Sequence, residues 1–268
     1  MALGTAPEKE QVMTVITPQG HSLGWIKPPL GRRAIDLLPP ADITGLTILP
    51  EVDPRKKMPP ALNQLALGSC TANATNRCFR YDTIMDGKDC GELSRLYTYY
   101  YERELEGTLG QGDAGAMGHD AFVVAQKGIP SETLWPYDIT KFEEKPPTEP
   151  FAYTLTKPVH AVPQTENDFK AVLSNNQTIA YGFTVYRGFE EPWQTPGVMP
   201  EPNQNEEVLG GHETLISGYL KEYPDHALIL NSWGEWGLNN SGYFLFPWKS
   251  LLNPNIASDF RTVVRTTV

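Results

Sequence analysis

The 268-residue chain reads as an α+β fold, with a helical half followed by an antiparallel β half. Three observations predict this. Between 69 and 127, apolar residues recur at helical spacing. From 178 onward, they alternate or form short blocks separated by Gly, Pro, Asn and Asp. The stretch PYDITKFEEKPPTEP (136–150) has neither pattern; it is charged and proline-rich, and reads as the connector.

The elements follow in order. Residues 1–20 show no periodicity and read as a loose end. Residues 21–62 combine prolines with short apolar patches, which predicts extended chain on a surface and no long helix. Ala74, Cys78, Tyr81 and Met85 fall at steps of four, three and four, one face of a helix. Ser69 is its N-cap and Gly87 its stop. A second helix fits 92–105, where Leu93, Leu96, Tyr97, Tyr100 and Tyr101 form a broad stripe. A third fits 117–127, ended by Gly128 and Pro130. Thr165 and Asp168 make a capping arrangement for a short helix carrying Phe169, Val172 and Leu173. TIAYGFTVY then places Ile179, Tyr181, Phe183 and Val185 on one strand face. HETLISGYL, HALILNSW, SGYFLFPW and FRTVVRTTV are the strands that follow. The organisation expected is four segments, 1–20, 21–62, 63–150 and 151–268, with the last two as the helical and β halves of one domain.

Composition narrows the function. Apolar residues are 40% and charged residues 20%, the balance of a globular protein. No apolar run approaches the roughly 20 residues that span a bilayer, so no membrane partner is expected. The opening MALGTAPEKEQVMTV lacks a basic region followed by an apolar core, so it is not read as a secretory signal. A net charge of −10 argues against nucleic acid. Three cysteines are too few for a disulfide framework, and none has the close Cys/His spacing of a metal site. Neither a metal nor an organic cofactor is expected.

The chemistry centres on NQLALGSCTANATNRC (63–78). A thiol at Cys70 starts a helix, where unpaired N–H groups and the helix dipole favour the thiolate. A small core residue would fit the same position. Of five histidines, His212 in LGGHETLISGY opens an apolar strand behind Gly210 and Gly211, glycines that let backbone approach closely. Asn231 in LILNSWGEWG ends a buried strand, where its amide must find a partner and can fix an imidazole tautomer. Gln64, six residues before Cys70, can supply a side-chain N–H to an oxyanion beside the Cys70 backbone N–H.

In this order and context, the residues resemble the papain-like cysteine peptidase family over about 22–262. The spacing from Cys70 is 142 residues to His212 and 161 to Asn231, against roughly 130–150 in that family. QLALGSC, GGHETLISGY and NSWGEWGLNNSGYFLFP carry the likeness; GDAGA (112–116) and GIPSETLWPYD add to it. The resemblance implies a papain-like two-subdomain fold with the active-site cleft between a helical and a β half. It implies Cys70 as nucleophile, His212 as general base and then acid, Asn231 as its orienting partner and Gln64 as oxyanion donor. Trp233 would cover the His–Asn pair. Gly115 and Ala116 would pair with an extended peptide, and Met117, Gly210 and Gly211 would line a roomy apolar pocket. The expected partner is a peptide or protein substrate, cleaved through a thioester by a monomer whose resting state is a Cys70 thiolate and His212 imidazolium pair.

The departures carry expectations too. Leu67 and Asp113 stand where a common disulfide would, which fits a reducing compartment, cytoplasmic or phage- or virus-associated. Thr71 replaces an aromatic and predicts a more open groove floor. Glu213 should face away from the thiol. The lead-in is shorter than a typical inhibitory propeptide, which implies a structural role and an enzyme active as made. A papain-like acyl transferase or ligase would keep the same residues. An inactive peptide-binding relative would show a lost Cys, His or Asn, and all three are present.

Overall fold

A computed structural model describes residues 14–17, 20–147, 153–190 and 193–264. The described elements are β1 (Val15–Ile16), β2 (Ser22–Leu23), α1 (Ala34–Leu37), α2 (Cys70–Met85), α3 (Arg95–Glu106) and α4 (Gly118–Lys127). There follow β3 (Val159–Ala161), α5 (Glu166–Ser174), β4 (Ile179–Tyr186), β5 (Val208–Gly218), β6 (His226–Leu230), β7 (Tyr243–Pro247), α6 (Trp248–Leu251) and β8 (Ala257–Val263). Six strands form one antiparallel sheet in the order β3-β8-β4-β5-β6-β7.

The helices end where the chemistry dictates. Ser94 accepts a hydrogen bond from Tyr97 N, so α3 begins at Arg95, later than the apolar stripe predicts. Gly107 stops α3 in the left-handed conformation. Thr165 accepts from Asp168 N at 3.1 Å, the cap expected for α5. The short edge strand β3 has no sequence signal of its own; it exists because β8 offers it a partner.

The sheet is covered on both faces, which explains why β4 is buried at every residue but Thr184. Ile179, Tyr181, Phe183 and Val185 share one core with Phe169 of α5 and Phe244 and Phe246 of β7. Ala180 points the other way, into a core with Cys78 and Phe79 of α2, Phe122 of α4 and Leu245. Helix α2 is buried almost all round, not only on its predicted face. Its polar residues are internal because they are bonded: Asn76 donates to Leu93 O and Arg77 to Pro60 O.

Residues 14–17 and 20–26 differ from expectation. Val15–Ile16 is no loose end; it pairs antiparallel with Ser22–Leu23, and Thr14 N donates to Asp113 O at 2.8 Å. Residues 1–13 and 18–19 lie outside the described set. Downstream, residues 27–62 run without a long helix, as their prolines require.

Candidate active site

Cys70 is the first residue of α2, and Ser69 before it makes no side-chain cap. The Ser69 hydroxyl is instead engaged with Tyr137 OH at 2.6 Å. The N–H groups of the first turn therefore stay available near the thiol. Strand β5 carries His212, and β6 runs into Asn231. His212 Nε2 and Asn231 Oδ1 are 2.7 Å apart. Ser232 N donates to the same oxygen at 2.8 Å, which fixes the amide orientation. The oxygen acceptor makes Nε2 the protonated nitrogen and leaves Nδ1 as the free base. Among the described residues, Nδ1 has no hydrogen-bond partner. Trp233 stacks on the imidazole with centroids 4.8 Å apart, and Phe183 meets it edge-on.

Gln64 is held on every side. Its Oε1 accepts from Ser232 Oγ at 2.6 Å, its N–H donates to Ser232 O, and its carbonyl accepts from Tyr137 OH. Its Nε2 donates to Leu67 O and Ser22 O, each at 3.0 Å. Ser232 and Tyr137 were not singled out in the sequence, although a serine beside Asn231 in NSWG is a visible signal.

The Ser22 contact belongs to a larger arrangement. Residues 22–26 cross the thiol as an extended strap. Ala116 N donates to Gly24 O at 2.8 Å, Ile26 N to Ala116 O at 2.9 Å, and Trp25 N to Gly211 O at 2.9 Å. His21 stacks on Trp233, centroids 4.0 Å apart. Four glycines permit the crossing. A Cβ on Gly24 would lie 1.9 Å from Gly68 O, and one on Gly115 would lie 2.2 Å from Gly24 O. Gly115 also has φ +71, which suits glycine. Gly210 packs on Leu23, and Gly211 lies against Trp25. Met117 is buried at the start of α4, its N–H donating to Glu106 Oε1. The expectation of a purely structural lead-in is therefore corrected, because the chain's own segment covers Cys70.

The strap sets the protonation. Burial pushes the Cys70 thiol up to about 12; the Glu213 charge adds to this, and backbone hydrogen bonds from Glu213 and Gly24 oppose it. Burial pulls His212 down to about 4, against its bond to Asn231. Both groups are favoured neutral while covered, so the expected ion pair does not describe the strapped state.

Two further expectations need correction. Thr71 is fully buried and donates to Glu102 Oε1 at 2.8 Å, so it leaves no opening in the groove floor. Glu213 does turn away from His212, but its backbone and its charge both reach Cys70. Its carboxylate is buried and pairs with Arg261 at 2.7 Å; Arg261 also pairs with Asp259. Cys70, Cys78 and Cys90 are free. Where a disulfide was expected to be missing, Asp113 accepts from Gly68 N at 2.8 Å and from Tyr99 OH, tying the loop before Cys70 to α3.

Among the described residues, no helix is long and apolar enough to cross a membrane. No known family profile matches the chain. It is 34% identical over 230 residues, 78% of its length and 72% of the relative's, to an uncharacterized peptidase C1-like protein of Acanthamoeba polyphaga mimivirus. Its structure resembles xylellain, a cysteine protease from Xylella fastidiosa, with a TM-score of 0.77 at 29% identity over 91% of this chain and 96% of that one. It shares its fold with digestive procathepsin L2 of Tenebrio molitor larval midgut, TM-score 0.69 at 21% identity, covering 96% and 80% of the two chains.

Proposed function

The chain belongs to the papain-like cysteine peptidases, a family of hydrolases, and from that premise we propose that it cleaves peptide bonds through a thioester on Cys70. The observation that carries the proposal is the 2.7 Å His212–Asn231 bond, which leaves one free basic nitrogen on an imidazole whose strand neighbour, Glu213, hydrogen-bonds the Cys70 thiol through its backbone.

The steps use this chain's own groups. His212 Nδ1 takes the Cys70 proton, and the thiolate sulfur attacks the substrate carbonyl carbon. The carbonyl electrons move onto oxygen, which accepts from Gln64 Nε2 and the Cys70 backbone N–H. As the oxyanion collapses, the C–N bond breaks and His212 gives its proton to the leaving nitrogen, forming a thioester. Water, deprotonated by His212, attacks the thioester carbonyl; the C–S bond breaks, the acid leaves, and His212 returns the proton to sulfur. Asn231 keeps Nε2 protonated throughout, and Trp233 shields that bond from water.

The strap makes the described state latent. The leaving nitrogen must meet His212, so the leaving half of a substrate lies toward Trp233 and its acyl half toward Ala116. A substrate therefore runs from Ala116 to Trp233. The strap runs the other way, from His21 on Trp233 to Trp25 beside Ala116. Its Ser22 carbonyl sits on Gln64, but the nitrogen of that peptide bond points away from His212. The segment fills the site without being positioned for cleavage.

A side chain at Gly24 must collide with Gly68 O, so Gly24→Val opens the strap in the full-length chain. In that variant, iodoacetamide should label Cys70 faster than Cys78 or Cys90, and a peptidyl amide should be hydrolysed. Adding His212→Ala should remove the hydrolysis. If Cys70 reacts no faster than a free thiol and no amide is cleaved, the proposal fails. If an added amine captures the acyl group in preference to water, the reaction is transfer.

A further inference from the structure

Outside the cleft, the β half carries a second groove of about 1140 Å³. It runs between the segment 193–206, the turn at Asp225 and helix α6. Trp193, Met199 and Trp248 line it, and the indole N–H of each tryptophan lacks an acceptor among the described residues. Carboxylates of Glu166, Glu201, Glu206 and Asp225 line it too. Lysines answer two of them: Glu166 pairs with Lys170 at 2.5 Å and Glu201 with Lys249 at 2.9 Å. Glu206 accepts from Gly188 N at 2.7 Å. Among the described residues, neither Glu206 nor Asp225 has a cation partner. The groove begins near the leaving end of the cleft. Trp233 lies 5.0 Å from Trp236, and Trp236 lies 5.5 Å from Trp193, both pairs edge-on between ring centroids. Three extended residues at about 3.3 Å each span those two steps.

We propose that this groove is a second binding site, which holds a Lys- or Arg-bearing stretch of a protein substrate beyond the third residue of its leaving half. This rests on the peptidase reading above, in which the leaving half lies toward Trp233. Charge selects the occupant: Glu206 and Asp225 are uncompensated, so a basic stretch is attracted and an acidic one repelled. A lysine or arginine suits the lining in both its parts. Its aliphatic stem lies along apolar surface while its head reaches a carboxylate, and a cation sits well over an indole face. Lys170 already does this here, its Nζ 5.4 Å from the centroid of the Trp248 ring. A peptide also brings backbone carbonyls, the acceptors that the two indole N–H groups lack.

The test uses the full-length Gly24→Val chain and peptides identical around the cleaved bond. From the fourth residue of the leaving half they carry a run of lysine, alanine or glutamate. At low salt, kcat/KM for the lysine peptide should exceed that for the alanine peptide by about tenfold, the scale of two exposed ion pairs, and the gain should lie in KM. It should vanish in about 1 M salt. Glu206→Gln with Asp225→Asn should abolish the gain and leave the alanine peptide unchanged. The whole chain carries a charge of −10, so the control removes two exposed charges from the helical half, by Glu104→Gln with Glu144→Gln. That pair should keep the gain. No gain, or a gain lost equally in both double variants, would overturn the site. Binding can also be read without turnover in the unaltered chain, because residues 22–26 do not line the groove. Acetyl-tetralysine amide should quench tryptophan fluorescence saturably, and Glu206→Gln with Asp225→Asn should weaken this about tenfold. Equal quenching by acetyl-tetraglutamate amide would also overturn the site. If tetralysine binds in this way but no peptide is cleaved, the peptidase reading falls and the groove stands. If peptides are cleaved with no preference for lysine, the groove falls and the peptidase reading stands.

Discussion

The carbonyl of Ser22 accepts a 3.0 Å hydrogen bond from Nε2 of Gln64, the side chain proposed to bind the oxyanion. The chain thus presents its own backbone oxygen where a substrate oxygen would develop charge, and Ser232 holds the donor from behind at 2.6 Å.

Removing that donor should act mainly on kcat. In the Gly24→Val background, Gln64→Ala should lower kcat by about 10²–10³, the usual effect of losing one oxyanion donor. Ser232→Ala leaves Gln64 in place but frees its amide to rotate, so its loss should be smaller and also in kcat. Steady-state kinetics on one amide checks both. A loss confined to KM would assign Gln64 to ground-state binding.

Asn231→Ala takes away the acceptor that fixes the imidazole tautomer. Hydrolysis should fall about 10²-fold, within the range of a general base that is no longer held in place. Alkylation of Cys70 at pH 6 should slow in parallel. If alkylation is unchanged while hydrolysis falls, Asn231 acts on a later step than thiolate formation.

Acid should loosen the strap. His212 is held at about 4 in the covered state, against 6.5 ordinarily. Between these values the open form binds a proton that the closed form does not, so lowering the pH favours opening. Two neighbours modify this, His21 opposing protonation of His212 and Glu190 favouring it. Corrected for the slower intrinsic exchange at lower pH, hydrogen exchange of residues 22–26 should report an opening constant about tenfold larger at pH 5 than at pH 7, and His212→Ala should flatten the response.

The buried Glu213–Arg261–Asp259 group is a stability element beneath the cleft. Arg261→Met would leave two buried carboxylates without their cation. It should lower unfolding stability by about 3–5 kcal/mol, read by denaturant titration. A change within error would mean that water reaches the site.

Cys70, His212 and Asn231 could be named from sequence because each sits in a short motif where local backbone and chemistry coincide. The α and β halves were legible because buried helices and strands impose periodicity. The strap was not. An extended segment that lies across a cleft repeats nothing, and Ser22 and Gln64 are distant in sequence. Asp113 was visible as a substitution, but its bond to Gly68 N was not. Gly182 did carry a signal, a glycine in a strand that is, Ala180 apart, β-branched and aromatic, but its meaning depended on knowing that Trp25 packs against it. The reading of Thr71 failed because its partner, Glu102, comes from another helix.

Because the strap is part of the same chain, its closing is unimolecular, and its local concentration does not fall on dilution. Diluting the enzyme therefore cannot release it. Substrate and strap compete for one cleft, so occupancy by the strap multiplies the apparent KM by one plus the closing constant and leaves kcat intact. Latency in this molecule is a matter of thresholds. The enzyme should remain silent toward scarce peptides and reach full speed wherever a tight-binding sequence is abundant, with no covalent change required.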